Sequence, residues 1–293
     1  MDEVLIGNML ASSLRMATPL LFCALAGLLS ERSGVIDIGL EGKMLFAAFA
    51  AGAAGAALDS TSLAVACAIG VSILLSWMHG LACVSYRGDQ VVSGIAINII
   101  AVGLTMVLGI AWFAQGGQTP PVSTKVRIQA LWPQAQDAFA NWPWLQAIVG
   151  EGLLSHNALV YLALALVPTT WWLLFKTRFG LRLRAVGENP HMVDAAGVSV
   201  HGLRYTALTL NGVLCGLAGS YLVLAQSAAF SSNMTAGRGF MALAALIFGR
   251  WHPVGAMWAC LLFGFLDAAA IRMQGTALPL IGEVPGESIQ AMS

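Results

Sequence analysis

"VVSGIAINIIAVGLTMVLGIAWF", residues 91–113, contains no charged side chain. At about 1.5 Å of rise per residue, a helix of this length crosses the roughly 30 Å hydrocarbon core of a bilayer. Comparable apolar runs occupy residues 16–30, 44–58, 62–85, 157–175, 204–226 and 253–273, with a shorter one at 239–249. The 293-residue chain is 58% hydrophobic and only 10% charged, and its mean hydropathy is +0.78. No soluble domain of this size could bury so much apolar surface. The pattern predicts an all-α, polytopic transmembrane helical bundle made of one domain, residues 1–293.

Composition also excludes several functions. The formal net charge is zero, so no basic field favours nucleic acid. Cys23, Cys67, Cys83, Cys215 and Cys260 stand singly in apolar segments, with no CxxC pair and no metal-ligand spacing. Neither HExxH nor GxSxG occurs, so no catalytic residue and no metal site is expected. "GLEGKM", 39–44, approaches a phosphate-binding loop but has Asp37 where a glycine is needed and Met44 where Ser or Thr is needed. No nucleotide cofactor is therefore assigned to the chain. The first run has no basic segment ahead of it and no cleavage site, and reads as retained structure, with Pro19 starting or kinking its helix.

The two short runs share a feature. "SGVIDIGLEGKM", 33–44, precedes one and "SSNMTAGRGF", 231–240, precedes the other. Paired glycine-interrupted segments in two halves of a membrane protein are the sequence sign of an inverted repeat with broken helices and a transport path between them. Asp37, Gly39 and Glu41 then lie beside that path. Asn98, a polar side chain inside a span, either joins them or bridges two helices. Asp267 is a second intramembrane polar group, with Arg272 within reach. Gly212, Gly216 and Gly219 in "LNGVLCGLAGSYL" predict close helix packing.

Lysine and arginine set the orientation. If loop 176–203 is cytoplasmic, Arg32, Lys43, Arg87, Lys176, Arg178, Arg182, Arg184, Arg204 and Arg250 share its side; Arg15, Lys125, Arg127, Arg238 and Arg272 fall opposite. This bias matches the positive-inside rule. The N-terminus and residues 114–156 are then outside. Trp132, Trp142 and Trp144, beside Pro133 and Pro143, give that outer loop either an anchor in the headgroup zone or a docking surface.

Within the cytoplasmic loop, "RAVGENPHMVDAAGV", 184–198, carries its own helix signals. Asn189 is a good N-cap, Pro190 suits the first helical position, and Gly197 suits the left-handed residue after the end. A helix over 190–196 is too short to be stable alone in water. It docks either into a partner or onto the protein's own end.

The block "FGLRLRAVGENPHMVDAAGVSVHGLRYTALTLNGVLCGLAGSYL" resembles the coupling region and following span of permease subunits of binding-protein-dependent ABC importers, in the branched-chain amino acid and ribose permease family. "TPLLFCALAGLLSERSGVIDIGLEGKMLFAAFAAG" and "GRGFMALAALIFGRWHPVGA" are similar to its nucleoside and simple-sugar branch. The resemblance implies a multi-pass protein of the inner (plasma) membrane that moves a small polar solute, a nucleoside or simple sugar, inward by alternating access. It implies separate ABC ATPase subunits that bind the ATP, a second permease subunit (homo- or heterodimer) and an extracytoplasmic solute-binding protein. It further implies that Glu188, Asn189, Pro190, Asp194, Ala195, Ala196 and Gly197 couple the permease to the ATPase. Two departures accompany it. Asp37 stands where the branch carries Asn, and the chain stops at "PGESIQAMS" where relatives continue into a final span. The alternative from the residues alone is an ion-coupled secondary transporter, disfavoured because intramembrane ionisable groups are scarce. A membrane enzyme lacks any acid-base or nucleophile set.

Overall fold

The computed structural model describes residues 2–132, 143–273, 277–278 and 282–283. Pro133, Trp142 and the closing "PGESIQAMS", with the expectation attached to it, lie outside the described residues. The described fold is an all-α bundle: α1 (Asp2–Glu31), α2 (Leu40–Leu58), α3 (Thr61–Gly80), α4 (Gln90–Phe113), α5 (Pro143–Leu145), α6 (Ala158–Lys176), α7 (Arg178–Glu188), α8 (Pro190–Ala195), α9 (Val200–Tyr221), α10 (Arg238–Phe248) and α11 (Pro253–Met273). Wider π-type turns extend α3 through Ser85 and α9 through Ser227. A two-residue antiparallel pairing, Ala277–Leu278 with Gly282–Glu283, follows α11.

Among the described residues, six helices are long and apolar enough to cross a membrane, and α10 is a shorter apolar helix. They form two populations. The apolar windows of α1 and α9 are 72% and 78% buried within the protein, those of α3, α4 and α11 only 22–28%. The first pair pack directly on each other and form the centre, with the largely buried α2 packed on α9 and α3; the outer helices turn Ile110, Val107, Trp258 and Leu262 outward. Lipid is as apolar as leucine, so helices gain from contact chiefly by packing closely. The central sequences are accordingly small. A Cβ added at Gly212 or Gly216 of α9 would meet the Ile73 and Ile69 Cα atoms of α3 at 2.7 and 2.5 Å.

Pro19 lies inside α1. Having no N–H, it leaves the Arg15 carbonyl one turn back without its helical donor. The Tyr221 hydroxyl donates to that carbonyl at 3.1 Å, so α9 completes the hydrogen bonding that the proline interrupts.

The two ends of the bundle differ. At one, α7 and α8 gather with the C-termini of α1 and α10: Arg32 donates to the Trp251 carbonyl at 2.7 Å and Arg204 to that of Ser33 at 3.2 Å. At the other, segment 114–132 is laced to the ends of α3 and α9 through Thr61 Oγ1 to Val126 O at 3.0 Å and Ile128 N to Leu224 O at 2.9 Å. Trp132 packs its ring on Tyr161, centroids 5.9 Å apart. Two cations leave the charge tally taken from sequence: Lys43 is fully buried, and Arg238 opens α10 with its guanidinium on Met16 of α1. The remaining cations keep the same bias, so the positive-inside rule predicts that the α7–α8 end faces the cytoplasm.

A cysteine placed at Ser123, exposed in segment 114–132, should therefore react with an impermeant thiol reagent in intact cells. One at Ser199, the exposed N-cap of α9, should react only after permeabilisation. The background must lack the native cysteines, because Cys67 is itself exposed. The reverse labelling pattern would refute the orientation.

Candidate transport site and coupling surface

After α1 the chain does not leave the bundle. Ser30 Oγ donates to the Val35 carbonyl at 2.8 Å, and Gly34 takes a φ of +79°, closing a turn that feeds residues 35–39 back into the interior. Ile36 itself stays at the surface, where Gln90 Oε1 accepts its N–H at 2.7 Å. Asp37 then accepts from the Gly39 amide at 3.1 Å and pairs with Lys43, one turn into α2, at 2.5 Å. Both charged side chains are fully buried. Lys43 also donates to Asn211 of α9 at 3.2 Å, an oxygen shared with the Ser76 hydroxyl at 3.1 Å, and Asn211 Nδ2 donates to Ala26 O at 3.1 Å. In an interior without water such charges persist only when paired and hydrogen-bonded. Here the pair fastens the start of α2 to α1, α3 and α9.

The second glycine-rich approach arrives from the opposite end. Segment 228–237 re-enters through left-handed residues, among them Asn233 at φ +56°, Ala236 at +47° and Gly237 at +82°. It ends against Glu41. The Glu41 carboxylate accepts from the Gly237 amide at 2.9 Å and the Gly239 amide at 2.5 Å, capping α10 from a different helix. A Cβ at Gly239 would meet the Glu41 backbone at 2.5 Å, so only glycine permits this approach. From the junction, α2 runs toward Asp59, hydrogen-bonded to Ser123, while α10 runs toward Trp251, hydrogen-bonded to Glu31. Two helices thus begin together inside the bundle and diverge to opposite ends.

Beside the junction lies a cavity of about 490 Å³, open to the outside of the bundle where Ile99, Val102 and Phe240 are exposed, and lined also by Glu41, Gly42, Leu45, Asn98, Gly103, Asn233 and Gly237. Asn98 bridges two helices, one of the two roles left open by the sequence, and it also faces this cavity. It ties α4 to α2 by accepting from the Gly42 amide at 2.8 Å and donating to the Ile38 carbonyl at 3.1 Å. Asp37 and Gly39 do not line the cavity; Asp37 lies behind it in the Lys43 network. Asp267 makes no ion pair with Arg272; the ion pair among the described residues is Lys43–Asp37. Sequence reading overlooked Asn211, Lys43 and Phe240. Asn211 stood inside an apolar run as plainly as Asn98, and the same argument applies to it.

At the α7 end of the bundle, α8 spans Pro190–Ala195, with Asn189 Oδ1 accepting from the Met192 amide at 3.2 Å. Gly197 follows at φ +75°. None of the α8 residues is buried, and Met192 is 70% exposed. The preceding α7 is an additional element that the sequence reading left as loop. Thr177 caps it, accepting from Gly180 N at 3.1 Å, and Gly180, Leu183 and Val186 turn inward. Those three recur at one face of a helix, leaving Arg178 and Arg182 outside. Arg184 lies over the Phe175 ring, 4.9 Å from its centroid. Its neighbour Arg32 is held below the ordinary guanidinium range, first by burial and then by the Arg184 charge. Glu188, Asp194, Ala195 and Ala196 are all exposed. Glu188 shares a surface recess with Arg32 and Arg184.

Comparison with known sequences places these features in a family. The profile described as "Branched-chain amino acid transport system / permease component" matches residues 9–285. The chain is 39% identical over 282 residues to the guanosine ABC transporter permease protein NupQ of Bacillus subtilis, covering 92% of this chain and 83% of the relative. It is 36% identical over 299 residues to the nucleoside ABC transporter permease protein NupC of Lactococcus lactis, covering 98% and 88%. It is 26% identical over 300 residues to the glucose ABC transporter permease protein TsgB13 of Haloferax volcanii, covering 94% and 72%. No solved structure gives a significant match. The chain belongs to the family of branched-chain amino acid transport system permease components.

Proposed function

We propose that this member of the permease-component family is the membrane-spanning subunit of an ABC importer, passing a nucleoside or simple sugar into the cytoplasm through the cavity beside the Glu41 junction. The observation that carries the reading is the meeting of α2 and α10. Two interrupted helices start at one buried point, run to opposite ends and frame a cavity of about 490 Å³. Such half-helix starts supply oriented backbone dipoles at mid-depth, where a solute must be held between two openings. The pair also offers a movable joint, because α10 is attached at its start by a side chain from another helix.

The energy comes from outside the chain. Residues 39–43 carry the nearest approach to a nucleotide loop, yet Lys43 is fully buried and committed to Asp37. The exposed α7–α8 surface is the part of the cytoplasmic end free to receive separate ATPase subunits. A second permease subunit, an extracytoplasmic binding protein and an inner-membrane location complete the assembly, and the chain itself performs no catalysis. The ion-coupled alternative finds little support, since the buried Lys43–Asp37 pair is already mutually neutralised.

The test is reconstitution. Proteoliposomes holding this chain, its ATPase and its binding protein should accumulate solute only with ATP inside the compartment corresponding to the cytoplasm. The purified chain alone should show no specific ATP binding at micromolar concentration. Uptake driven by an ion gradient without the ATPase would overturn the reading.

A further inference from the structure

We infer that the end of the bundle opposite α7–α8 holds a site for an anionic phospholipid, its phosphate between Arg15 and Arg127 and an acyl chain in a groove between α1 and α11. The inference needs only that the chain spans a bilayer, and it does not depend on the importer reading. It starts from Arg15, an arginine inside the apolar span Gly7–Glu31. A cation at such a depth is costly unless something neutralises it. No carboxylate of this chain does so among the described residues, where the ion pair is Lys43–Asp37. The Arg15 side chain instead turns toward the start of α1, Nε donating to the Ala11 carbonyl at 3.4 Å, and so carries its charge toward the headgroups. There it lines a recess of about 340 Å³ together with Arg127. Two like charges facing one space repel each other until an anion lies between them. No acidic side chain lines this recess among the described residues, whereas Thr124, Gln129 and Asn157 do. Asn157 Oδ1 is taken by the Val160 amide at 3.2 Å, which leaves Nδ2 as the donor it can offer a ligand. Guanidinium forks supported by neutral donors are the chemistry that holds phosphate.

The surroundings of the recess point to the source of that phosphate. Leu14 directly precedes Arg15, and Leu153 lies two residues before Ser155 of the recess; both line a separate apolar groove of about 400 Å³. Leu10, Trp258 and Phe265, all exposed, continue this groove along α1 and α11. Tyr161 stands at the border. Its hydroxyl donates to the Leu153 carbonyl at 2.8 Å, and its ring packs on the exposed Trp132. Tyrosine and tryptophan favour the headgroup level of a bilayer. A cationic recess at that level thus adjoins an apolar groove on a lipid-facing helix, the same division that a phospholipid carries between its phosphate and its chains. A free phosphate, or a carboxylate on a soluble protein, would use the recess and leave the groove without a role. Two arginines with no acidic neighbour in the lining also offer nothing to the ammonium of a zwitterionic headgroup, so a headgroup of net negative charge, such as phosphatidylglycerol, fits better.

Native mass spectrometry of the full chain, delipidated in mild detergent and then given phosphatidylglycerol or phosphatidylcholine, reads the site directly. Phosphatidylglycerol should stay bound under conditions that strip phosphatidylcholine. Arg127→Gln should weaken its binding about 10- to 150-fold, the loss of a charge-assisted hydrogen bond, and Arg127→Lys should weaken it less. Arg127 is exposed and outside the spans, so this variant should fold even if Arg15→Gln, which should weaken binding similarly, does not. Trp258→Ala tests the groove. It should weaken binding of dioleoyl phosphatidylglycerol and leave the dihexanoyl lipid, whose chains are too short to fill the groove, unchanged. Equal retention of the two headgroups, or unchanged retention in Arg127→Gln, would overturn the inference. Displacement of phosphatidylglycerol by millimolar inorganic phosphate would give the recess to a soluble anion and overturn it as well. So would loss of binding-protein recruitment in Arg127→Gln with lipid retention intact, which would give the recess to a protein carboxylate.

Discussion

Lys43→Met is expected to destabilise the protein by about 3 to 5 kcal/mol, the cost of leaving a buried charge without its partner. Asp37 and Lys43 are both fully buried at 2.5 Å. Removing the ammonium leaves Asp37 with the Gly39 amide as its remaining hydrogen bond. Packed helices surround the network and leave Asp37, Lys43 and Asn211 without exposed surface, so bulk water does not take over. Asn211 Oδ1 would retain Ser76 and lose Lys43, making the carboxylate the main casualty. Adding Asp37→Asn tests that reasoning directly, because asparagine keeps an oxygen for Gly39 while removing the charge. The double variant should be more stable than Lys43→Met alone, and the coupling in a double-mutant cycle should be of the order of 1 to 3 kcal/mol. Thermal unfolding in detergent provides the measurement. Being shielded from solvent, the coupling should change little with salt. Simple addition of the two single effects would show that the pair does not hold the start of α2.

Lys43 also marks where the sequence stopped being legible. A lysine beside an apolar run has the same local appearance whether it reaches to a headgroup or turns inward. Only contacts with Asp37, six residues before it, and with Asn211 on α9 distinguish the two. The spans themselves were readable because lipid imposes a length and forbids unpaired backbone. Segment 190–195 was readable because capping is local: Asn189, Pro190 and Gly197 act within a turn of themselves. The two glycine-rich approaches were visible as a similarity, but the Glu41 contacts with Gly237 and Gly239 join positions nearly 200 residues apart. Helix α7 was hidden for a different reason. Its arginines mask three inward-facing positions, and so short a helix depends on its packing against α6 and α9.

Ala196→Trp is expected to abolish uptake and ATPase stimulation while leaving the permease folded and inserted. Ala196 ends α8, its amide donating to the Met192 carbonyl at 3.1 Å, and its side chain is exposed. An indole there meets nothing in this chain, and exposed substitutions of this kind usually stay within about 0.5 kcal/mol of neutral. The consequence should appear only against a partner. If α8 seats in a groove of the ATPase subunit, the added bulk overpacks that contact at a cost of about 1 to 3 kcal/mol, weakening association roughly 5- to 150-fold. Asn189→Ala gives a graded comparison. It removes the oxygen that receives the Met192 amide and should cost about 1 kcal/mol of capping, slowing transport without ending it. Recruitment of the binding protein engages the opposite end of the bundle and should survive in both variants. Loss of that recruitment would point to a misfolded protein, and normal uptake by Ala196→Trp would show that α8 is an ordinary surface turn. Uptake lost with insertion and recruitment intact would place the transfer of ATP-driven motion at residues 189–197.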